Sequence, residues 1–240
     1  MKASVILPTY NESESIIPLI TEISRVLNDE KIDFEVVVVD DNSPDGTFRL
    51  VRERFGTESH VTALLRTHER GLATAILHGI TNAKGEKIVV MDTDFNHPPG
   101  LIPLMLKITD YFDIASGSRY VIGGGMEISR FRYIGSKLFN KFIHYTLGVK
   151  TTDNLSGYFA FNKRILEGID TDTIFYGYGD YFIRFLYTMQ KNKRFILELP
   201  VVYKDRQGGL SKTNLKSELI RYTRSVLNLK FGTGRKSHGS

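Results

Sequence analysis

Short apolar runs alternate with segments of helical spacing along the first half of the chain. The apolar, β-branched runs predict five strands, near residues 3–8, 34–39, 60–65, 86–91 and 113–117. Between them, apolar residues three or four apart predict helices near 15–28, 46–55, 70–83 and 100–112. Strand runs such as EVVVVD are continuously apolar, as expected of parallel strands covered by helices on both faces. The pattern predicts an α/β sandwich around a mostly parallel sheet.

The rhythm of the pattern changes after Arg119. A Gly-rich turn, GGGM, is followed by a basic, aromatic, helix-like stretch at 130–147, a strand-like SGYFAFN, a helix near 180–192 and the strand FILELPVVY. From Asn214 onward the chain is basic and amphipathic. We expect one domain over residues 1–213, with halves at 1–119 and 120–213, and a separate segment at 214–240.

Composition excludes several kinds of chemistry. The chain has 240 residues and no cysteine, so thiol nucleophiles, disulfides and thiolate metal sites are not available. No apolar run approaches the roughly 20 residues that cross a bilayer, and Met1 and Lys2 lead into a strand rather than a signal peptide. A formal charge of +5 is compatible with nucleic acid, an anionic membrane or a phosphorylated ligand. We therefore expect a cytoplasmic protein.

Polar residues gather where the predicted strands end. The first strand runs into PTYNE at 8–12, the second into DDNSPDGT at 40–47, the fourth into DTDFNH at 92–97 and the fifth into SGSRY at 116–120. Ligands of open parallel sheets bind outside the carboxyl ends of the strands. We therefore expect a single site built from these four strand ends.

Asp92 and Asp94 close a strand that the pattern predicts to be buried. On an extended backbone, residues two apart point the same way, so the two carboxylates repel each other. A hard divalent cation such as Mg²⁺ or Mn²⁺ resolves the conflict, because it accepts a few carboxylate oxygens and fills its other positions with water and phosphate. Asn96 can add a carbonyl oxygen. The alternative is a solvated loop, which the acidic ends of the other strands disfavour.

Four segments together resemble family 2 glycosyltransferases of the GT-A fold. They are SVILPTYNE, VVVVDDNSPDGT, RGLATAILHGITNAKGEKIVVMDTDFNHPP and IASGSRY. Within the family the resemblance is to dolichyl-phosphate mannose synthases and related polyprenyl-phosphate glycosyltransferases, and it covers residues 3–165. It implies transfer of mannose or glucose from a GDP- or UDP-linked donor, a divalent cation, and inversion at the anomeric carbon. It also makes 1–119 the donor half and 120–213 the acceptor half.

The resemblance assigns donor and metal roles to the strand ends. The expected donor-binding residues are Pro8, Tyr10, Glu12, Asp41, Asp92, Asp94 and Arg119, and the expected metal ligands are Asp92, Asp94 and Asn96. Pro8, Tyr10 and Glu12 are expected at the base and ribose, and Asp41 at the base. Relatives carry Gln where this chain has Asn96, whose shorter side chain reaches the metal through water.

The expected acceptor-side residues are Arg132 in SRFRYIG, Asp153 in TTDNLSG and Arg206 in DRQGGLSK. Arginine suits phosphate because its planar guanidinium binds two oxygens at once. Arg130 competes with Arg132 for this role, and helix capping or loop bracing is the alternative role for Asp153. Arg119 is expected to meet the donor diphosphate.

The nature of the acceptor decides whether a general base is needed. A polyprenyl phosphate has a second pKa near 6 and is already ionised at pH 7. A hydroxyl acceptor needs a carboxylate base, for which Asp180 in FYGYGDYFIRF is the candidate, although Asp180 can instead cap a helix. The expected catalytic residues are therefore Asp94, Arg119 and Asp180. The runner-up function is transfer to a saccharide or other hydroxyl in cell-surface glycan synthesis.

Other protein classes fit the sequence less well. A dehydrogenase would need a glycine fingerprint after its first strand, where this chain has PTYNES. A nucleotidyltransferase would show a basic Gly-rich N-terminal loop, and a binding module for nucleic acid or lipid would not need the acidic cluster. The basic C-terminal segment suits either the surface of an anionic membrane or packing on the domain. We expect peripheral contact at the cytoplasmic face of the membrane or with a membrane-anchored partner, and no nucleic acid.

Several polar residues are expected to be structural. Asp45 and Gly46 form a turn before a helix, and the glycines at 123–125 suit a lid hinge rather than a phosphate cradle. His97, which precedes Pro98, shapes a turn. We also expect structural roles for four histidines that show no metal-ligand spacing, His60, His68, His78 and His144.

Overall fold

The computed structural model describes residues 2–127, 130–203 and 215–232. Its strands are β1 (Ala3–Thr9), β2 (Phe34–Asp40), β3 (Val61–Leu65), β4 (Lys87–Val90), β5 (Ile114–Ser118), β6 (Gly125–Met126), β7 (Phe159–Asn162), β8 (Ile196–Pro200) and β9 (Val202–Tyr203). Its α-helices are α1 (Ile16–Asp29), α2 (Thr47–Phe55), α3 (Leu72–Asn82), α4 (Ile102–Ile108), α5 (Arg130–Leu147), α6 (Tyr181–Lys191) and α7 (Leu215–Phe231).

The main sheet has seven strands in the order β3-β2-β1-β4-β7-β5-β8. The pairs β1–β2, β1–β4, β2–β3 and β5–β8 are parallel, whereas β7 is antiparallel to both β4 and β5. The predicted α/β sandwich around a mostly parallel sheet is confirmed. The strand β7 comes from the second half of the chain and lies between two strands of the first half.

The apolar strands are buried because helices cover both faces of the sheet. Val5 and Leu7 pack on one face with Ile16 of α1 and Ile102 of α4. Ile6, one position along β1, belongs to the opposite face, where the core is completed by residues of α3 and α6. Since successive side chains point to opposite faces, a strand covered on both sides must be apolar at every position.

The predicted single strand FILELPVVY is wrong, because it divides into β8 and β9. Pro200 has no N–H and ends the ladder with β5. Val201 then donates its N–H to the Ser118 carbonyl at 3.0 Å and accepts from the Gly125 N–H at 3.1 Å, so that β9 pairs with β6 in a second, two-stranded sheet. This small sheet lies over the carboxyl end of β5, beside Arg119.

The helix α7 packs against α5 and α6. Val226 is fully buried and shares a small apolar cluster with Ile143 of α5 and Ile183 of α6. Other apolar residues of α7 remain exposed, among them Ile220 and Phe231. The helix α7 therefore packs on the rest of the fold and also presents apolar side chains to the outside.

Candidate active site

The loop after β4 carries the two aspartates of the D-x-D motif. Asp92 is 50% exposed and Asp94 is half-buried. The backbone turns sharply here, since Phe95 has φ +62°. Asn96 donates to Asp94 from its backbone N–H at 3.2 Å and from its side-chain amide at 2.9 Å. Asn96 thus braces Asp94, and its predicted role as a metal ligand stays a prediction.

The carboxylate oxygens of this loop fit a hard divalent cation that is also bound by the phosphates of a nucleotide. Asp92 and Asp94 supply carboxylate oxygens, which Mg²⁺ and Mn²⁺ prefer. Among the described residues, no group of three or more His, Cys, Asp or Glu side chains lies together in a way that could hold a metal ion. A cation here would therefore take its remaining ligands from water and from the phosphates of a bound nucleotide, as Mg²⁺ commonly does.

His97 lies at the end of the same loop, and its role goes beyond shaping a turn. The ring is fully buried and stacks on Tyr158 with the ring centroids 4.7 Å apart. Its Nδ1 accepts the Asp92 N–H at 2.8 Å, and its Nε2 lies 2.7 Å from the Tyr203 hydroxyl. Burial lowers the pKa of His97 to about 4, which keeps the ring neutral at pH 7. Its aromatic partners are distant in sequence, so no local pattern marks this role.

Arg119 and Asp153 form a buried ion pair beside that loop. Asp153 has no exposed surface, and it accepts from Arg119 Nε at 2.7 Å, Nη2 at 2.8 Å and the backbone N–H at 3.0 Å. Burial alone would lower the pKa of Arg119, but the charge and hydrogen bonds of Asp153 raise it above its ordinary value. The guanidinium also lies over the Tyr203 ring, 4.8 Å from its centroid. Asp153 therefore holds Arg119, which supports the alternative of loop bracing.

Asp41 forms an ion pair with Arg66, a residue that was not predicted from the sequence. Its carboxylate accepts the Gly71 N–H at 2.8 Å and lies 2.9 Å from Arg66 Nε. The contact with Arg66 is an ion pair without good hydrogen-bond geometry, and Arg66 Nη1 is buried with no hydrogen-bond partner in the described part of the chain. Burial raises the pKa of Asp41, while the Gly71 N–H and the Arg66 charge oppose that rise. Arg66 directly follows β3. The expectation that polar residues at the strand ends build the site was not applied to β3, and it would have identified Arg66.

The other residues expected at the donor lie along the end of β1. Pro8 is buried within β1, opposite Val39 of β2. The Tyr10 ring stacks under the Arg70 guanidinium at 4.3 Å, a cation–π contact that gives this edge a flat aromatic surface. Glu12 accepts from the Ser15 hydroxyl at 3.0 Å at the start of α1. The structure places these residues beside Asp41, and their contacts with a base or ribose stay a prediction.

Asp180 immediately precedes α6 and forms a buried ion pair with Arg184. It contacts Arg184 one turn along the helix and accepts the Tyr178 N–H at 3.2 Å. Arg184 is 1% exposed, and its guanidinium also donates to carbonyls of the preceding loop, including that of Ile174 at 2.8 Å, and to the Ser225 hydroxyl of α7. These bonds hold the loop before α6, and they leave Asp180 poorly placed to take a proton from a substrate.

Arg132 lies in the first turns of α5, where α5 meets α7. Its charge opposes the rise that burial causes in the pKa of Glu218 of α7. A hydrogen bond between the Ser136 hydroxyl of α5 and the Tyr120 hydroxyl connects the same end of α5 to the loop after β5. Arg206, the third predicted phosphate ligand, lies outside the described residues.

The predicted residues that follow β4 and β5 come together, and most of the residues predicted to bind the donor lie at the ends of β1 and β2. The charges of Asp94, Arg119 and Asp153 all act on the buried His97, and that of Asp92 acts on the buried Tyr181. A side chain added at Gly71, which donates its N–H to Asp41, would meet the Gly177 carbonyl of the loop before Asp180 at 3.4 Å. The arrangement is an exposed acidic loop with a buried guanidinium beside it, and a paired carboxylate, Asp41, at the end of β2.

Known proteins resemble this chain in sequence and in fold. The family model described as glycosyl transferase family 2 matches residues 4–170. A dolichol-phosphate mannosyltransferase of Pyrococcus furiosus is 35% identical over 236 residues, and the match covers 95% of this chain and 64% of that protein. A dolichol-phosphate mannosyltransferase of Mycosarcoma maydis is 28% identical, with 96% and 80% covered. The chain thus spans just under two thirds of the length of the archaeal relative.

Solved structures confirm the GT-A type of fold. Glucosyl-3-phosphoglycerate synthase of Mycobacterium tuberculosis, in complex with Mn²⁺, UDP and phosphoglyceric acid, superposes with a TM-score of 0.67 at 20% identity. The superposition covers 96% of this chain and 78% of that one. At this level of identity the likeness concerns the fold alone.

Proposed function

The chain belongs to glycosyltransferase family 2, and we propose that it moves a hexose from a nucleotide-sugar to a polyprenyl phosphate with inversion at the anomeric carbon. The observation that carries the proposal is the exposed acidic loop of Asp92 and Asp94 beside the buried cation Arg119. The dolichol-phosphate mannosyltransferases among its relatives point to the same acceptor class.

We assign the donor base to the end of β2. Asp41 offers hydrogen-bond acceptors, and Arg66 Nη1 offers a buried donor that no described residue satisfies. Guanine and uracil each present a ring N–H beside a keto oxygen, which matches an acceptor next to a donor. Adenine and cytosine present the reverse order on that edge. The pair therefore fits GDP- or UDP-linked donors, with the Tyr10 ring as a stacking surface for base or ribose.

We assign the diphosphate to the D-x-D loop and Arg119. A divalent cation bound by Asp92 and Asp94 would supply positive charge for the donor phosphates. Arg119 would add a fixed cation, because Asp153 holds its guanidinium in one orientation. Fixed charges in a buried setting stabilise the negative charge that develops on a departing nucleoside diphosphate without first having to reorient.

The proposed reaction is one in-line displacement. An oxygen of the acceptor phosphate forms a bond to C1 of the sugar, while the bond from C1 to the diphosphate oxygen breaks and the nucleoside diphosphate leaves with the electron pair. Because the attacking phosphate is already ionised at pH 7, no proton has to be removed. The buried pairing of Asp180 with Arg184 agrees with a reaction that uses no carboxylate base there. We therefore assign Asp180 a structural role.

We also propose that α5 and α7 contact an anionic membrane, where a polyprenyl phosphate resides. Apolar residues of α5 project from one face of the helix, including Phe131 at 85% exposed and Leu138 at 61% exposed. Lys137 and Lys141 are exposed on the same helix, and positively charged residues attract anionic headgroups. No helix in the described residues is long and apolar enough to cross a bilayer. Peripheral contact at the cytoplasmic face is part of this proposal.

Acceptor-dependent release of nucleoside diphosphate tests the proposed function. The purified protein would be offered GDP-mannose and UDP-glucose with Mn²⁺, in vesicles with and without polyprenyl phosphate. We expect release with one donor class only when the lipid phosphate is present, and loss of release in excess chelator and in Asp94→Ala. Full turnover in chelator would contradict the metal assignment, and release that ignores the lipid phosphate would contradict the acceptor.

A further inference from the structure

We propose that His97 is a positioning residue that sets the direction of the Asp92 and Asp94 carboxylates by accepting the Asp92 backbone N–H. This inference rests on the proposed function, in which these carboxylates bind a divalent cation. The side chain of His97 is itself fully buried, and it is not one of the residues assigned to bind the cation or the donor.

The hydrogen bonds of His97 run in one defined order. Nδ1 accepts the Asp92 N–H at 2.8 Å, so the ring proton of the neutral imidazole sits on Nε2. Nε2 then donates to the Tyr203 hydroxyl at 2.7 Å, and that hydroxyl donates to the Ser156 carbonyl at 3.0 Å. The Asp92 carboxylate lies 3.9 Å from Nε2, too far for a hydrogen bond. The ring therefore acts on the backbone of the motif and not on the Asp92 carboxylate.

The ring is held rigidly enough to act as a support. It stacks on Tyr158, which itself donates to the Pro98 carbonyl at 2.8 Å. Tyr203 lies under the Arg119 guanidinium at 4.8 Å. The acidic loop and the buried cation thus rest on the same His97–Tyr203 contact. Loss of the bond to the Asp92 N–H would free the peptide from which Asp92 projects, and two misdirected carboxylates bind a cation less tightly.

Two conservative variants separate the two ends of the ring. In His97→Asn, the amide oxygen stands near the position of Nδ1 and can still accept the Asp92 N–H. In His97→Gln, the longer amide reaches toward Tyr203 but places no acceptor near the Asp92 N–H. Electron paramagnetic resonance with GDP or UDP present measures the Mn²⁺ affinity of the Asp92 and Asp94 loop. The measurement needs neither an acceptor nor turnover.

We expect His97→Asn to keep the Mn²⁺ affinity within about threefold of wild type and His97→Gln to lose about tenfold or more, the range seen for residues that support metal ligands. His144→Gln is the matched control, because His144 is exposed and its ring also bonds a backbone group, the Val149 carbonyl at 2.7 Å. It should bind Mn²⁺ as wild type does. Melting temperatures measured in parallel should not rank the variants in the same order.

Equal affinity in His97→Asn and His97→Gln would overturn the inference. If at the same time Asp94→Ala no longer binds Mn²⁺, the proposed function stands and only the role of His97 is lost. If the wild type itself binds no Mn²⁺ with either nucleotide, the metal part of the proposed function fails and this inference fails with it.

Discussion

The buried ion pair of Arg119 and Asp153 allows a prediction about stability. The stability losses of the two single variants should add up to more than the loss measured in the double variant. Asp153→Asn keeps the size of the side chain but removes its charge, and it leaves the Arg119 guanidinium buried without a counter-charge. Arg119→Met does the reverse and leaves a carboxylate with no exposed surface and no cation. In the double variant neither charge remains, and the asparagine can still accept the Leu155 N–H that Asp153 accepts at 3.2 Å.

The size of the effect follows from the burial of both partners. Removing one partner of a buried ion pair costs about 3–5 kcal/mol, because the remaining charge stays uncompensated, whereas removing both is often close to neutral. For a chain of this length each kcal/mol lowers the melting temperature by about 2–4 °C. Each single variant should therefore melt about 6–20 °C below wild type. The double variant should melt above the lower of the two, which requires a coupling energy larger than the smaller of the two single costs, about 3 kcal/mol or more.

Thermal and urea unfolding of the four proteins measures that coupling. Asp29→Asn is the control, because Asp29 also contacts an arginine, Arg25, at 2.7 Å, but both side chains are more than half exposed. That change should hardly move the melting temperature. Additive effects of Arg119→Met and Asp153→Asn would refute the reasoning, because they would mean that Asp153 does not hold the guanidinium. All three variants should lose transfer activity, since each changes the proposed diphosphate cation or its support.

Three further predictions concern the base, the loop before α6 and the membrane face. Asp41→Asn should weaken GDP or UDP binding by about ten- to a hundredfold, since a hydrogen bond to a charged group is worth about 1.5–3 kcal/mol, and calorimetry that finds equal affinities would remove Asp41 from the base site. Asp180→Asn should lower the melting temperature, because Arg184 loses its counter-charge, yet should keep most of kcat at temperatures where the variant is folded; a kcat near zero in a folded variant would contradict this. Leu138→Glu should lower binding to anionic vesicles in a sedimentation assay by about tenfold, whereas Leu104→Glu on α4 should not, and equal binding would argue against α5 as the contact.

The sheet could be predicted because burial on both faces leaves a mark at every position of a strand. Val36 to Val39 are apolar without a break, and β2 begins and ends within a residue of the predicted limits. The strand β7 was predicted as a strand, but its antiparallel direction was not, because direction depends on the path of the connecting chain rather than on side chains. The division at Pro200 was not readable from the proline alone, because proline only removes one N–H donor from a ladder and Pro8 stands inside β1, paired with Val39 of β2.

The site was predictable where one residue type has one dominant use. Asp92 and Asp94 follow a buried strand, and the structure places them in an exposed loop, as a metal or phosphate site requires. Asp180 is different, because its partner Arg184 stands one helical turn away and the spacing alone signals an ion pair. The role of His97 had no such signal, since Tyr203 follows 106 residues later and only the folded chain brings the two rings together.

The direct comparison of a polyprenyl phosphate with its unphosphorylated alcohol tests the central claim. Wild type and Asp180→Asn would each be given GDP-mannose and UDP-glucose with Mn²⁺, and the sugar-carrying lipid would be quantified by mass spectrometry. We predict product from the phosphate alone, with one donor, and most of that activity retained in Asp180→Asn. Product from the alcohol or from a free sugar, abolished in a folded Asp180→Asn, would mean instead that the enzyme transfers to hydroxyl groups with Asp180 as its base.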